Sequence, residues 1–378
     1  MTANALVKQF YDVVNNPGNA PREWQKQQGG RVIGWLKTDV PEELIHAAGF
    51  LPYGIVGGKT KFSRVDAHLQ SWACSLMRSC LGIALNDELN FLDGLIIPHT
   101  CDTTRMVSGI WRQIHLLPYM ENFFLPRQVD RASSKMFMLA ELMRLKESLE
   151  VYSGSAITEE NLRNSIALYN ENRGLMRLLF AMHEKTPGLI SCRDLYTVVR
   201  ASMMMPKETH SHLLEQLLQA LRIQNNVYQG RDKVRVIISG PVWEPPELMD
   251  IIDSKGTVVG DDLLTGFRYI ASDVNTEEEP LAALAERQLN RIPFACFDST
   301  QNPRRQFLVN LVRQKQAKGV IFLHLKFCEP ENYDYYDHKL ALEKAGIPST
   351  RIETEVGGVS VEQMRTRIEA FFEMLGGI

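Results

Sequence analysis

Two similar apolar runs, one in each half of the chain, constrain the fold more than any other feature. The first occupies 94–100 and ends at Cys101, and the second occupies 319–327 and ends at Cys328. Each run is long enough for one buried strand, and each follows an alternation of shorter apolar runs with helical patterns. Strands that alternate with helices predict a parallel sheet covered by helices on both faces. We therefore interpret the chain as a degenerate internal duplication of an α/β unit.

The predicted elements divide the 378 residues into three segments. Residues 1–126 are an N-terminal α/β unit with a leading helix, 127–230 are a helical connecting region, and 231–378 are a C-terminal α/β unit. In both units a strand, a helix that starts at proline and a second strand precede the cysteine-bearing strand, which ends the unit. The predicted class is α/β, with two duplicated Rossmann/flavodoxin-like parallel-sheet units joined by a helical segment. The elements are predicted over 31–36, 41–49 and 50–56, and over 233–240, 245–252 and 257–260, with connecting helices over 135–152, 162–182 and 212–228 and a last helix over 360–374.

Composition and charge exclude several classes of function. A net charge of −3 leaves no basic surface for nucleic acid and no polybasic patch for a membrane. No apolar stretch approaches the ~20 residues of a transmembrane helix, and the N-terminus lacks the apolar region of a signal peptide. We therefore expect a cytoplasmic protein. Thiols stay reduced in that compartment, so the six cysteines are interpreted as metal ligands, reactive thiols or core residues and not as disulfides.

Three of the cysteines stand where a strand ends or a helix begins. Cys101 and Cys328 end the two apolar runs, and Cys74 opens the helical segment that follows it. Strand ends are where open α/β sheets present ligands, and the positive end of a helix stabilises a thiolate. Three thiolates that converge there would form an incomplete iron–sulfur site with one iron free for chemistry. Cys80 does not share this site with Cys74, because six residues turn a helix by about 600° and place the two on different faces.

The spacing of the cysteines leaves a second interpretation open. No CxxC pair is present, and all six cysteines can equally be small buried hydrophobic residues. Cys80, Cys192 and Cys296 are interpreted as structural. His99 and His324 occupy matching places near the two strand ends, where they could donate hydrogen bonds or protons to a substrate. The alternative for these two residues is a pair of satisfied core histidines.

A glycine-rich turn at 57–60 resembles the end of a phosphate-binding loop. That motif needs a glycine five residues before Gly58, and Tyr53 stands there instead. We expect a turn at the end of a strand here and no ATP hydrolysis by the chain itself.

Five blocks of sequence, in order, make the chain recognisable. They are VPEELIHAAGFLP (40–52), AHLQSWACSLMRSCLG (67–82), DGLIIPHTCDTTR (93–105), LHLKFCEPENYDYY (323–336) and QMRTRIEAFFEML (363–375). With these blocks the chain resembles the superfamily of 2-hydroxyacyl-CoA dehydratases and ATP-dependent (class I) benzoyl-CoA reductases over essentially its whole length. It is most similar to the smaller cluster-bearing (C-type) subunit of the reductases, in which HTCDTTR runs into SGIWR. Dehydratase subunits often carry a cysteine just before VPEEL, and Lys37-Thr38-Asp39 in that place favours the reductase branch.

The resemblance implies an enzyme subunit with one [4Fe–4S] cluster, held by Cys74, Cys101 and Cys328. It also implies a homologous cluster-bearing partner, two ATPase activator subunits and ferredoxin as the electron donor. The expected reaction is dearomatisation of benzoyl-CoA, or of a close aromatic acyl-CoA, to a cyclic dienoyl-CoA in single-electron steps that alternate with proton transfers. One alternative is a 2-hydroxyacyl-CoA dehydratase subunit that expels a hydroxyl through a ketyl intermediate. Another is an electron-transfer subunit that binds no substrate or carries a double-cubane cluster.

Overall fold

The chain builds two four-stranded sheets, one from each half. The computed structural model describes residues 1–114, 117–225, 233–292, 294–300, 304–357 and 361–376. The first sheet consists of β1 (Val32–Leu36), β2 (Leu51–Ile55), β3 (Gly94–His99) and β4 (Tyr119–Phe124). The helices of this half are α1 (Ala3–Asn15), α2 (Asn19–Gln28), α3 (Glu42–Ala47), α4 (Ser75–Leu85) and α5 (Asp102–Ile114), with a 3₁₀ turn at Val65–Ala67.

Four helices connect this half to the second sheet. They are α6 (Ala132–Ser153), α7 (Glu159–Lys185), α8 (Cys192–Ser202) and α9 (Lys207–Asn225). The second sheet consists of β5 (Val234–Gly240), β6 (Gly256–Leu263), β7 (Gly319–Leu325) and β8 (Ser349–Thr354). Its helices are α10 (Glu247–Lys255), α11 (Phe267–Ile270), α12 (Pro280–Leu289), α13 (Arg304–Gln314), α14 (Glu329–Lys344) and α15 (Val361–Met374).

The two sheets have the same topology. Their strand orders are β2-β1-β3-β4 and β6-β5-β7-β8, and the neighbouring strands pair in parallel. In each sheet the first strand lies beside the third, so the order of the strands reverses at that pair. This agreement confirms the predicted α/β class with two duplicated parallel-sheet units.

The prediction that each half ends with its cysteine-bearing strand is wrong. One more strand follows in each half, β4 in the first and β8 in the second, and it forms an edge of the sheet. Polar residues such as Glu121 and Glu353 interrupt these strands, and most of their side chains are partly exposed, so no apolar run marks them in the sequence. The division at 126 and 230 stays a prediction, because residues 226–230 lie outside the described residues. The same holds for the end of the helix predicted over 212–228 and for Ser360.

Helix caps and a shared core hold the connecting helices against both sheets. Thr158 accepts a hydrogen bond from the Asn161 N–H at the start of α7, and two glutamates in its first turn favour the same end. One cluster of buried apolar residues includes Trp35, Leu145 and Ile238, which belong to the first sheet, α6 and the second sheet. Among the helices that the structure describes, none combines the length and the apolar character that crossing a bilayer needs.

A buried histidine between α8 and α9 makes the stability of this fold depend on pH. Asn172 Nδ2 donates to His210 Nδ1 over 2.8 Å, and His210 Nε2 lies 3.0 Å from the Val198 carbonyl, which it reaches as donor in the neutral ring. Burial, together with the positive charge of Lys207, lowers the pKa of His210 to about 3. The unfolded chain therefore takes up this proton first as the pH falls. Its stabilising contribution is complete above pH ~6.5 and is lost progressively toward the folded pKa.

We expect His210→Gln to flatten this pH dependence. Between pH 7.5 and 5.0 the wild-type histidine should cost about 2 kcal/mol of unfolding free energy, at 1.36 kcal/mol per pKa unit. Urea unfolding at the two pH values measures the difference, and the variant should show a difference smaller by about that amount. His68 is exposed, so His68→Gln is the matched control and should leave the pH dependence unchanged. An equal pH dependence in wild type and His210→Gln would contradict the prediction.

Candidate functional site

Two of the predicted site cysteines lie where the strand order reverses. Cys101 follows β3 after one residue, next to the end of β1, and Cys328 follows β7 after two residues, next to the end of β5. Open parallel sheets bind ligands in the crevice at this point, outside the carboxyl ends of the strands. The structure therefore places the two cysteines at equivalent positions of the two sheets, as their sequence context indicates.

All three predicted cysteines directly precede a helix. Cys74 is the residue before α4, Cys101 precedes α5 and Cys328 precedes α14. A helix start offers unpaired backbone N–H groups and the positive end of the helix dipole, and both favour a thiolate over a thiol. This setting makes each of the three a better ligand than a cysteine inside a helix.

The Cys74 and Cys328 side chains contact each other, although they come from different halves of the chain. A hydrogen bond from the Cys328 thiol lowers the pKa of Cys74 to about 7, and the backbone N–H groups of Leu76 and Met77 act in the same direction against burial. The same hydrogen bond, with burial, raises the pKa of Cys328 well above its ordinary value. One member of the pair is therefore a thiolate near neutral pH while the other holds its proton.

Lys37 is a fourth member of the site, and it carries the opposite charge. It follows β1 with a left-handed backbone (φ 57°), and its Nζ lies 2.9 Å from Thr100 Oγ1 and 3.7 Å from Cys101 Sγ. Burial alone would lower the pKa of Lys37, but the negative charges of Cys101, Cys296 and Asp39 outweigh it and raise that pKa. The ammonium group thus faces the cysteines as a permanent cation. No motif in the sequence marks Lys37, because its role follows from backbone geometry at a strand end.

The remaining three cysteines are buried and protonated. Cys80 Sγ lies 3.6 Å from the Ile55 carbonyl, and burial raises its pKa to about 12. Burial also raises the pKa of Cys192 well above its ordinary value and that of Cys296 to about 12. Cys296 nevertheless packs in one apolar cluster with Cys101, which brings it closer to the site than its sequence position indicates.

His99 and His324 lie near the strand ends without a described hydrogen bond to a cysteine. His99 packs its ring edge-on against Phe124 at 4.7 Å between centroids, and His324 does so against Tyr335 at 5.8 Å. In both, Nε2 is buried and has no hydrogen-bond partner among the described residues, and burial lowers the pKa of each ring. They are therefore not fully satisfied core histidines, and their catalytic role stays a prediction.

An ionic network ties the helix that begins at Cys328 to the second sheet. Arg304 donates to Asp262 in β6 over 3.2 Å, and to Glu331 and Asp334 in α14 over 3.0 and 2.9 Å. Arg304 is 8% exposed, and burial of Asp262 is offset by Arg268 and Arg304, which lower the pKa of that carboxyl. The network fixes the start of α14, and with it the position of Cys328.

The turn at 57–60 is a strand-end turn, as predicted. β2 ends at Ile55, and Gly57 then takes a left-handed conformation (φ 78°). Arg200 Nη2 donates to the Gly57 carbonyl over 2.7 Å, so the turn is held by the protein itself.

Comparison with known proteins decides the family. The sequence profile of the family described as "2-hydroxyglutaryl-CoA dehydratase, D-component" matches residues 37–375. The chain belongs to this family. The matched region starts at Lys37 and contains all three site cysteines, and it confirms the predicted superfamily.

Three relatives of this dehydratase-family chain are subunits of different enzymes. The C-type subunit of the benzoyl-CoA reductase of Thauera aromatica is 34% identical over 320 residues, which cover 82% of both chains. The lactoyl-CoA dehydratase subunit beta of Anaerotignum propionicum is 32% identical, over 98% of this chain and 99% of its own. The (R)-phenyllactyl-CoA dehydratase beta subunit of Clostridium sporogenes is 31% identical over 97% of both chains. Enzyme subunits that act on different acyl-CoA thioesters therefore share this fold.

The donor set of the site fits an iron–sulfur cluster better than a single ion. Within the described residues, no three His, Cys, Asp or Glu side chains lie close enough together to hold one metal ion. A cluster makes a different demand, because each thiolate binds a separate iron and the sulfurs stay further apart. Three soft cysteine ligands at helix starts, with the Lys37 cation beside them, meet that demand in chemistry and in charge.

Proposed function

We propose that this chain is an iron–sulfur subunit of an acyl-CoA enzyme, with one [4Fe–4S] cluster held by Cys74, Cys101 and Cys328. The observation that carries the proposal is the convergence of these cysteines: Cys74 contacts Cys328 across the two halves, and Cys101 lies 3.7 Å from the Lys37 ammonium. A cluster held by three cysteines leaves one iron without a protein ligand, where a substrate can approach.

The chain itself supplies the charge balance for this chemistry. The cluster, when bound, supplies single electrons at low potential to the acyl-CoA. The helix N-termini and Lys37 stabilise the negative charge of the thiolates, and the same donors stabilise added negative charge at the site. We assign His99 and His324 as proton or hydrogen-bond donors, because each has a buried Nε2 without a partner in the described part of the chain.

As reaction we propose the dearomatisation of benzoyl-CoA, or of a close aromatic acyl-CoA, to a cyclic dienoyl-CoA. The similarity to a benzoyl-CoA reductase subunit and the Lys37-Thr38-Asp39 segment support it. The complete cytoplasmic enzyme would add a homologous cluster-bearing subunit, two ATPase activator subunits and ferredoxin. A thioester carbonyl can delocalise the first electron added, so the reaction proceeds in alternating electron and proton transfers.

A 2-hydroxyacyl-CoA dehydratase is the second candidate function. Two dehydratase beta subunits match 97–98% of this chain, further than the reductase subunit does. In this reaction the same first electron would serve to expel a hydroxyl group and would then be recovered. The two candidates share the cysteine ligands, so only the substrate separates them.

Anaerobic purification with the partner subunit tests the proposal. Chemical analysis should find about four iron and four sulfide per chain, as one [4Fe–4S] cluster requires. Assays with ATP, activator and reduced ferredoxin should then show ring reduction of benzoyl-CoA and no dehydration of lactoyl-CoA. Dehydration of lactoyl-CoA without ring reduction would select the second candidate. A chain without iron and sulfide would contradict both.

A further inference from the structure

A small cavity of about 150 Å³ lies beside the cysteine site and has no role in the cluster assignment. It forms where the segments after β1, β4 and α12 meet α11. One wall is apolar and the other is charged; the residues used below are Leu125, Leu289, Phe294, Asp39, Arg268 and Arg291. The cavity therefore offers a hydrophobic surface and fixed charges to the same small ligand.

The charged wall contains hydrogen-bonding atoms that the protein leaves unused. Asp39 is 3% exposed; its Oδ1 accepts from Arg291 over 3.3 Å, while its Oδ2 is buried without a partner in the described part of the chain. Arg268 is also 3% exposed; its Nη2 donates to Asp262, while Nε and Nη1 have no partner among the same residues. Buried polar atoms without partners are costly, so a ligand that pairs with both sides would be favoured.

The size of the cavity sets the scale of that ligand. A cavity of about 150 Å³ with apolar walls is known to hold benzene. Leu125, Leu289 and Phe294 supply the apolar wall here. The ligand is therefore a compact acyl group with about the bulk of one ring, and it carries both a hydrogen-bond donor and an acceptor.

One aromatic ring separates the cavity from the cysteine site. The Arg268 guanidinium lies 4.9 Å from the centroid of the Phe294 ring, and Lys37 Nζ lies 5.7 Å from the same centroid. Cys101 packs against the apolar cluster that contains Phe294. A group bound in the cavity would thus lie one side chain away from Cys101.

We propose that this cavity binds the acyl group of a hydroxylated acyl-CoA, with its hydroxyl donating to Asp39 Oδ2 and its thioester carbonyl accepting from Arg268. This inference rests on the proposed function, since it assumes that the enzyme acts on an acyl-CoA. The hydroxyl could belong to an aromatic ring or to carbon 2 of a short 2-hydroxyacyl chain. Both sources satisfy the same pair of protein groups.

Titration calorimetry of the intact complex with two pairs of thioesters tests the assignment. 3-Hydroxybenzoyl-CoA is compared with benzoyl-CoA, and lactoyl-CoA with propionyl-CoA, so that each pair differs by one hydroxyl. We expect the hydroxylated member of one pair to bind at least about tenfold more tightly, because its partner leaves Asp39 unpaired. The pair that shows the preference identifies the source of the hydroxyl.

Three variants assign the effect to the cavity. Leu289→Phe fills it and should weaken the hydroxylated thioester at least about tenfold, since overfilling a small packed site excludes its ligand. Leu175→Phe, at another partly buried leucine outside the cavity, should leave the affinity unchanged. Asp39→Asn keeps the shape, removes the charge and should reduce the preference for the hydroxyl.

Equal affinities within both pairs would overturn the proposal, and so would a Leu289→Phe complex with wild-type affinity. In either case an iron-containing complex that still converts an acyl-CoA leaves the proposed function intact. A wild-type complex without iron or acyl-CoA turnover would instead overturn the proposed function. If Asp39→Asn does not fold, the Leu289→Phe comparison still decides.

Discussion

Cys101→Ser is expected to lower the iron content of the anaerobically purified chain from about four atoms to fewer than one. Serine offers a hard oxygen in place of a soft thiolate, and two remaining cysteines do not hold a cluster with two open irons. Turnover of the acyl-CoA should fall at least about a hundredfold, beyond the loss seen when only an outer-shell partner of a metal site is changed. Iron and sulfide analysis, with the cluster's absorption spectrum, measures the effect.

Cys296→Ser is the matched control for this prediction. Cys296 packs in the same apolar cluster as Cys101 and is close enough for its charge to act on Lys37, but it is buried and does not precede a helix. Its replacement should leave the iron content near wild type. Full iron in Cys101→Ser, or equal losses in both variants, would refute the assignment of Cys101 as a ligand.

Arg304→Leu is expected to destabilise the fold by about 3–5 kcal/mol. The substitution leaves Asp262 and Glu331 without their Arg304 partner, and both carboxylates are buried, so their charges lose compensation where water cannot replace it. Urea unfolding followed by circular dichroism measures the loss as a shift of the midpoint. Because the network fixes the start of α14, the iron content of the variant should fall as well.

Arg305→Leu separates this buried network from a surface ion pair. Arg305 lies 3.7 Å from Asp337, but both side chains are more than half exposed (57% and 62%). Such a pair contributes about 0–1 kcal/mol. A loss in Arg304→Leu no larger than that in Arg305→Leu would show that the network adds little to stability.

The sequence predicts the parts of the molecule that have strong local signals. The apolar runs before Cys101 and Cys328 are buried on both faces of their sheets, so they stand out as continuous hydrophobic segments. Capping chemistry and the helical pattern after Cys74 indicate the start of α4 in the same way. The edge strands β4 and β8 escape prediction because their half-exposed side chains break the pattern.

Much of the site depends on distance in space, which the sequence does not encode locally. Lys37 reaches Cys101 only because β1 and β3 are neighbours in the sheet. The cavity brings Asp39 together with Arg268 and Arg291, more than 200 residues away along the chain. A sequence pattern marks none of these contacts, since each charged residue alone has the composition of an ordinary surface.

The contact between Cys74 and Cys328 has a mechanical consequence. The first half of the chain contributes Cys74 and Cys101, whereas the second contributes Cys328, so the proposed cluster would rivet the two halves together. Any rotation of one half against the other would change the spacing of the three sulfurs directly. A partner that docks across both halves could thereby adjust the electron affinity of the cluster by leverage, without touching a single ligand.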